Sequence, residues 1–208
     1  MTPITQGWQD LKSAPLTTLQ QWQQQRWIWL LMSGAALFLI LAAMGYFQWF
    51  LAMDPCEICV YIRFSQMCIL FAGLIIAIKP DNQLLKLAGM ALAWYAVLQG
   101  MAWSIELAGL HDSSHALDAV MAEGGDLFAA GGGGGACSTE PKFPLGLPMH
   151  EWFPYEFQPS GICGEDDWSL LGLNMAQYCI IAYSVFIAAL SAVTFGWLSC
   201  LGKKQSNR

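Results

Sequence analysis

The sequence predicts an all-α integral membrane protein, a bundle of four transmembrane helices with one short and one long outer loop. Three observations carry that expectation. The 208 residues are 56% hydrophobic and only 12% charged, with a mean hydropathy of +0.43, whereas a soluble domain carries about 25% charged residues. Stretches at 27–50, 60–78, 84–105 and 175–198 match the roughly 20 apolar residues that cross a hydrocarbon core as a helix. Lipid offers the backbone no hydrogen bonds, so only helices or closed barrels span it, and four helices are the economical solution.

Residues 1–26 are polar, with glutamines at 20, 21 and 23–25, and no small-residue cleavage motif follows the first apolar run. They are expected to stay as a cytoplasmic N-terminal segment rather than a cleaved leader. Trp8, Leu11, Leu16, Leu19 and Trp22 fit one face of a helix lying on the membrane surface; a solvated helix leading into span one is the other reading. Span one (27–50) is followed by a short loop at 51–59, and spans two and three (60–78, 84–105) by a long loop at 106–174. Span four (175–198) ends in a basic tail at 199–208. The membrane domain is thus 27–198.

Basic residues set the orientation. Lys12 and Arg26 precede span one, Lys79 and Lys86 bracket the loop between spans two and three, and Lys203, Lys204 and Arg208 end the chain. With an even number of spans these regions share one side, the cytoplasm. The long outer loop has only Lys142 and holds most of the acids that make the net charge −6. That outer-face acidity argues against nucleic-acid binding.

Of seven cysteines, Cys56 and Cys59 fall in the short outer loop and Cys137 and Cys163 in the long one. Cys68, Cys179 and Cys200 lie in spans or at the cytoplasmic end, as buried or reduced thiols. An even count on the oxidising side is what redox compartment predicts. The long loop needs a task, since structureless connectors of this length are uncommon. Five glycines at 131–135 impose no fold and act as a joint or a tolerated insertion. Prolines at 141, 144, 148, 154 and 159 exclude a long helix there, leaving one short amphipathic turn around Met149 to Phe153 to rest its Trp and Phe at the interface.

Three readings of the outer cysteines stand: a redox enzyme, purely structural disulfides, and a metal site. Structural zinc draws on close-spaced ligand pairs, and Cys137 and Cys163 are far apart; no metal ligands are assigned. Haem attachment requires C-x-x-C-H, and Val60 follows Cys59. A C-x-x-C ring encloses too little chain to stabilise much, which favours redox chemistry for Cys56 and Cys59. Cys59 opens span two, where the helix dipole favours a thiolate. Arg63 lies one turn on, with a fixed charge acting the same way. A charge at that depth marks function by default, with snorkelling to the headgroups as the bland alternative. A lipid-soluble electron acceptor, a quinone, suits this position, with Arg63 hydrogen-bonding its carbonyl.

Cys56-Glu57-Ile58-Cys59-Val60-Tyr61-Ile62-Arg63, the pair Cys137 and Cys163, and Trp168-Ser169-Leu170-Leu171-Gly172-Leu173-Asn174-Met175-Ala176-Gln177 resemble the DsbB family of bacterial inner-membrane thiol:quinone oxidoreductases. The likeness covers about 25–198, with 111–135 outside it. The run Trp22 to Arg26, the Cys-Val-Tyr-Ile-Arg stretch and Cys137-Ser-Thr before Phe143-Pro144 resemble the DsbI branch, whose partner is the DsbA-like DsbL. The resemblance implies an inner-membrane enzyme with periplasmic catalytic loops and cytoplasmic termini. It implies that the enzyme reoxidises a periplasmic DsbA-like thiol oxidase, DsbA or DsbL, and reduces ubiquinone or menaquinone. It implies the relay as well: the partner attacks Cys137, Cys163 attacks Cys56, and Cys59 remains as a thiolate against the quinone. Met175 and Glu106 match positions near the family's quinone site. Leu107 stands where the family has a histidine, with His111 four residues later.

Overall fold

A computed structural model describes residues 18, 21–122, 140–161, 163 and 168–206. Cys137, the glycines at 131–135 and the face formed by Trp8, Leu11, Leu16 and Leu19 lie outside the described residues.

Helix α1 spans Arg26–Leu41 and continues as a π-helix over Ala42–Phe50. The wider winding closes with Leu51 N–H on Tyr46 O at 3.0 Å. Such i→i+5 winding is rare and gathers at functional sites. Helix α2 spans Glu57–Ile78 and begins ahead of the expected residue 60. Pro55 lies in irregular chain before the helix, Glu57 suits the positive helix end, and Cys56 occupies the cap position with its Sγ accepting the Cys59 N–H at 3.1 Å. The C-x-x-C pair therefore belongs to the first turn of the helix.

Helix α3 starts at Gln83, capped by Asn82 Oδ1 on Leu84 N–H at 3.0 Å, and runs to Ala122. It passes straight through Gly109, which an interior helix tolerates at about 1 kcal/mol. The expected long loop from 106 is thus helical over 106–122. The proline-rich part folds as a 3₁₀ turn (Pro144–Gly146) and two single-turn helices, α4 (Met149–Trp152) and α5 (Pro154–Phe157). A hairpin, β1 (Ser169–Leu170) with β2 (Leu173–Asn174), pairs Ser169 with Asn174. Its two turn residues, Leu171 and Gly172, both have positive φ, the geometry of a tight primed turn. Helix α6 spans Met175–Ser206. Asn174 Oδ1 accepts from Gln177 N–H at 2.8 Å and Gln177 Oε1 from Asn174 N–H at 3.2 Å, a reciprocal capping box that fixes the start of the helix at Met175.

Among the described residues, four helical stretches are long and apolar enough to cross a membrane: Arg26–Phe50, Glu57–Ile78, Gln83–Ser113 and Met175–Ser199. Their faces expose Leu31, Phe38, Leu98, Val185 and Phe195, a hydrocarbon surface that belongs in lipid rather than water. The described residues form two compact units, each with a piece of all four stretches. In one (within Met1–Leu37, Met67–Val97 and Ser184–Arg208) Ile69, Ala72, Ile76 and Leu190 are buried, and Ser33 Oγ donates to Leu70 O at 3.1 Å. In the other (Phe38–Gln66 with Leu98–Tyr183) Val60, Leu107, Phe143, Phe157 and Tyr183 are buried. There Tyr183 and Ser65 share a hydroxyl contact, and Tyr183 Oη donates to Ile62 O at 3.0 Å.

Candidate active site

All the site residues described here lie in the second unit. Cys56 and Cys59 are joined by a disulfide, Cα to Cα 5.0 Å, and are 2% and 7% exposed. The bond closes over the N-terminal turn of α2, where unpaired N–H groups stabilise any thiolate released from it.

Arg63 follows Cys59 by one helical turn and is 5% exposed. Its Nη1 donates to Gln48 Oε1 at 2.9 Å and to Glu156 O at 3.2 Å. Gln48 in turn donates through Nε2 to Tyr155 O at 3.1 Å, and Trp49 Nε1 meets the Tyr155 hydroxyl. The guanidinium is held inside protein by the π-helix of span one and the backbone of α5. Snorkelling is therefore not how this charge is accommodated. Gln66, three residues beyond Arg63, is buried with an Oε1 that meets no donor among the described residues. Cys59, Arg63 and Gln66 stand at i, i+4 and i+7, one face of α2.

Tyr61 works on another face of the same turn. Its hydroxyl donates to Glu57 Oε1 at 2.8 Å and accepts from Lys142 N–H at 2.8 Å. Its ring stacks on Trp103 with centroids 5.2 Å apart and meets the edge of Phe143 at 5.5 Å. Phe143 also packs on Phe64 and Phe157. The loop five residues after Cys137 is thereby clamped to span two.

Cys163 is half-buried in a turn and disulfide-bonded. The chain leading to it reaches the loop just before span two: Ser160 N–H and Gly161 N–H both donate to Pro55 O, at 3.0 and 3.1 Å. Met175 is half-buried at the first position of α6. Glu106 is exposed on α3, while Leu107 is buried. Because α3 continues, His111 sits one turn beyond Leu107 on the same face. Sequence reasoning missed Gln48, Gln66 and Gly161, and held Tyr61 only as a letter of the motif, without a role. The stripe containing Gln66 was readable from helical spacing; the acceptor Glu156 O, being backbone, leaves no mark in sequence.

A membrane helix whose first turn carries a C-x-x-C disulfide, with a buried cation one turn on and a second disulfide cysteine in the adjoining loop, defines a membrane thiol–disulfide oxidoreductase. The family model described as disulfide bond formation protein DsbB matches residues 25–193. A Shewanella oneidensis protein bearing the DsbI name is 56% identical over 98% of this chain and 96% of its own. The protein-disulfide oxidoreductases DsbI of Lelliottia amnigena and Salmonella typhimurium are 45% and 37% identical, covering 86% and 91% of this chain and 76% and 93% of theirs. The chain belongs to the DsbB family.

Proposed function

We propose that the chain reoxidises a periplasmic DsbA-like thiol oxidase, DsbA or a dedicated DsbL, and passes the electrons to a membrane quinone. It does so from a bacterial inner membrane, with its termini cytoplasmic and its cysteine loops periplasmic. The observation that carries this reading is the Cys56–Cys59 disulfide capping the span that buries Arg63.

The residues fit a quinone. Arg63 supplies a desolvated cationic donor, and the orphaned Gln66 Oε1 supplies a buried acceptor on the same face. That pair suits a ligand that accepts hydrogen bonds when oxidised and donates them when reduced. Met175 and Glu106 complete the proposed surroundings. When bound, ubiquinone or menaquinone supplies a sink for two electrons and two protons.

The chain's own part is thiol exchange. A partner thiolate attacks Cys137 Sγ, breaking a Cys137–Cys163 disulfide and freeing Cys163 as thiolate. Cys163 attacks Cys56, forming a Cys56–Cys163 bond and releasing Cys59 as a thiolate at the helix end. The partner's second thiolate resolves its mixed disulfide and leaves oxidised. The freed Cys137 thiolate then displaces Cys56 from Cys163, leaving Cys56 and Cys59 reduced and the loop pair restored. Arg63 and the α2 N-terminus hold the developing charge on Cys59.

The test mixes purified protein with reduced DsbA or DsbL and a short-tailed ubiquinone or menaquinone. Partner free thiol and quinone absorbance should fall together, one partner oxidised per quinone. Mixed instead with oxidised partner, Cys163→Ala protein should trap the favoured one, its Cys137 thiolate attacking the partner's disulfide and staying bonded because Cys163 is absent to displace the partner from Cys137. Partner oxidation that proceeds at full rate without quinone would count against the reading.

A further inference from the structure

The segment before Cys163 approaches the entry to α2 more closely than a side chain permits. Ser160 and Gly161 share the carbonyl of Pro55 as acceptor, at 3.0 and 3.1 Å. A Cβ on Gly161 would stand 2.5 Å from Asp54 O and 3.1 Å from the Asp54 carbonyl carbon. Both neighbours are backbone, so no flexible side chain can give way, and any other residue drives the two segments apart. Pro55 is joined directly to Cys56. Gly161 lies two residues before Cys163, a reach of about 7 Å at full extension. Cys56 is almost fully buried, so its attacker has to come from chain already held against this turn.

We propose that Gly161 is a positioning residue for the exchange between Cys163 and Cys56, its missing side chain setting the approach of the Cys163 segment to Asp54 and Pro55. The inference rests on the relay proposed above. In that step a Cys163–Cys56 bond forms, the Cys56–Cys59 bond breaks, and Cys59 leaves with the electron pair as thiolate. Two electrons are conserved within the sulfurs, so no further oxidant enters. Exchange demands a sulfur in line with the breaking bond, and near-attack placement is what a fixed backbone contact supplies.

The experiment uses the full-length protein without added quinone, mixed with reduced DsbA-like partner, quenched in acid and mapped for disulfides by peptide mass spectrometry. A displacement of about 1 Å costs up to about a hundredfold in rate. Gly161→Ala is therefore expected to slow the appearance of the Cys56–Cys163 disulfide at least about tenfold, and Gly161→Val further. The mixed disulfide at Cys137 should form at the wild-type rate and accumulate. Ser160→Ala keeps both N–H donors and should behave as wild type. Equal Cys56–Cys163 rates in Gly161→Ala and wild type overturn the positioning role and leave the relay standing. No Cys56–Cys163 disulfide in the wild type overturns both. Equal slowing of the Cys137 step in Gly161→Ala would reveal a general structural defect and also overturn the positioning role.

Discussion

Arg63 and Lys86 are both cations buried in apolar helices, each 5% exposed, and each donates to a glutamine. Lys86 Nζ reaches Gln23 Oε1 at 3.1 Å, while the Gln23 carbonyl accepts Trp29 Nε1–H at 3.0 Å. That cluster ties the chain before α1 to the start of α3. Arg63 shares its helix face with a disulfide one turn before it and, one turn after, an acceptor that meets no donor among the described residues. Burial of a charge is therefore not what marks the proposed reaction centre. The chemistry one turn away on the same face marks it.

The severest way to break this comparison is to remove the sulfur itself. Cys59→Ser should abolish quinone reduction, since no second thiol remains to receive the electrons at the helix end. The mixed disulfide between partner and Cys137 should still be trapped, because that step precedes Cys59. Normal quinone turnover in this variant, followed by absorbance, would place the electron exit elsewhere.

Next in size is the pair of cations. A hydrogen bond to a charged group contributes about 1.5–3 kcal/mol. Arg63→Ala should thus raise the apparent quinone KM roughly ten- to a hundredfold. Lys86→Met should leave that KM unchanged and lower thermal stability, because Gln23 Oε1 loses a buried donor at a cost of about 1–3 kcal/mol. Steady-state kinetics and thermal unfolding of both variants separate the two roles. A KM rise of equal size in Lys86→Met would erase the distinction drawn here.

Sequence reasoning reached one side of this comparison better than the other. The spans were legible because lipid demands long apolar runs, and Cys56, Cys59 and Arg63 were legible because their spacing is local to one helix. Gln48 was not: it lies fifteen residues from Arg63 on a π-helix, and nothing in the apolar run over 42–50 announces i→i+5 winding. The expected span ended at 105, yet the residues on both sides of Gly109 favour helix enough to carry α3 on to Ala122. The Asn174–Gln177 capping box was readable as N-x-x-Q before an apolar run and went unread. Gly161 carries no local signal, since the carbonyl it admits belongs to Asp54, more than a hundred residues earlier.

The smallest test asks whether any disturbance near Arg63 mimics its loss. Tyr61→Phe keeps the stack on Trp103 and the edge contact with Phe143 while deleting the hydroxyl that joins Glu57 to Lys142 N–H. Tyr61 is two residues from Arg63 but off the Cys59–Arg63–Gln66 stripe. The bond to the Glu57 carboxylate is charge-assisted and the one from Lys142 N–H is neutral, but both act on the anchor of the Cys137 arm rather than on a reacting sulfur, so partner-dependent kcat/KM should change no more than about fivefold. The quinone KM should stay at its wild-type value. Were that KM to rise as far as in Arg63→Ala, the stripe would not be the unit of function, and the whole first turn of α2 would have to be treated as one site.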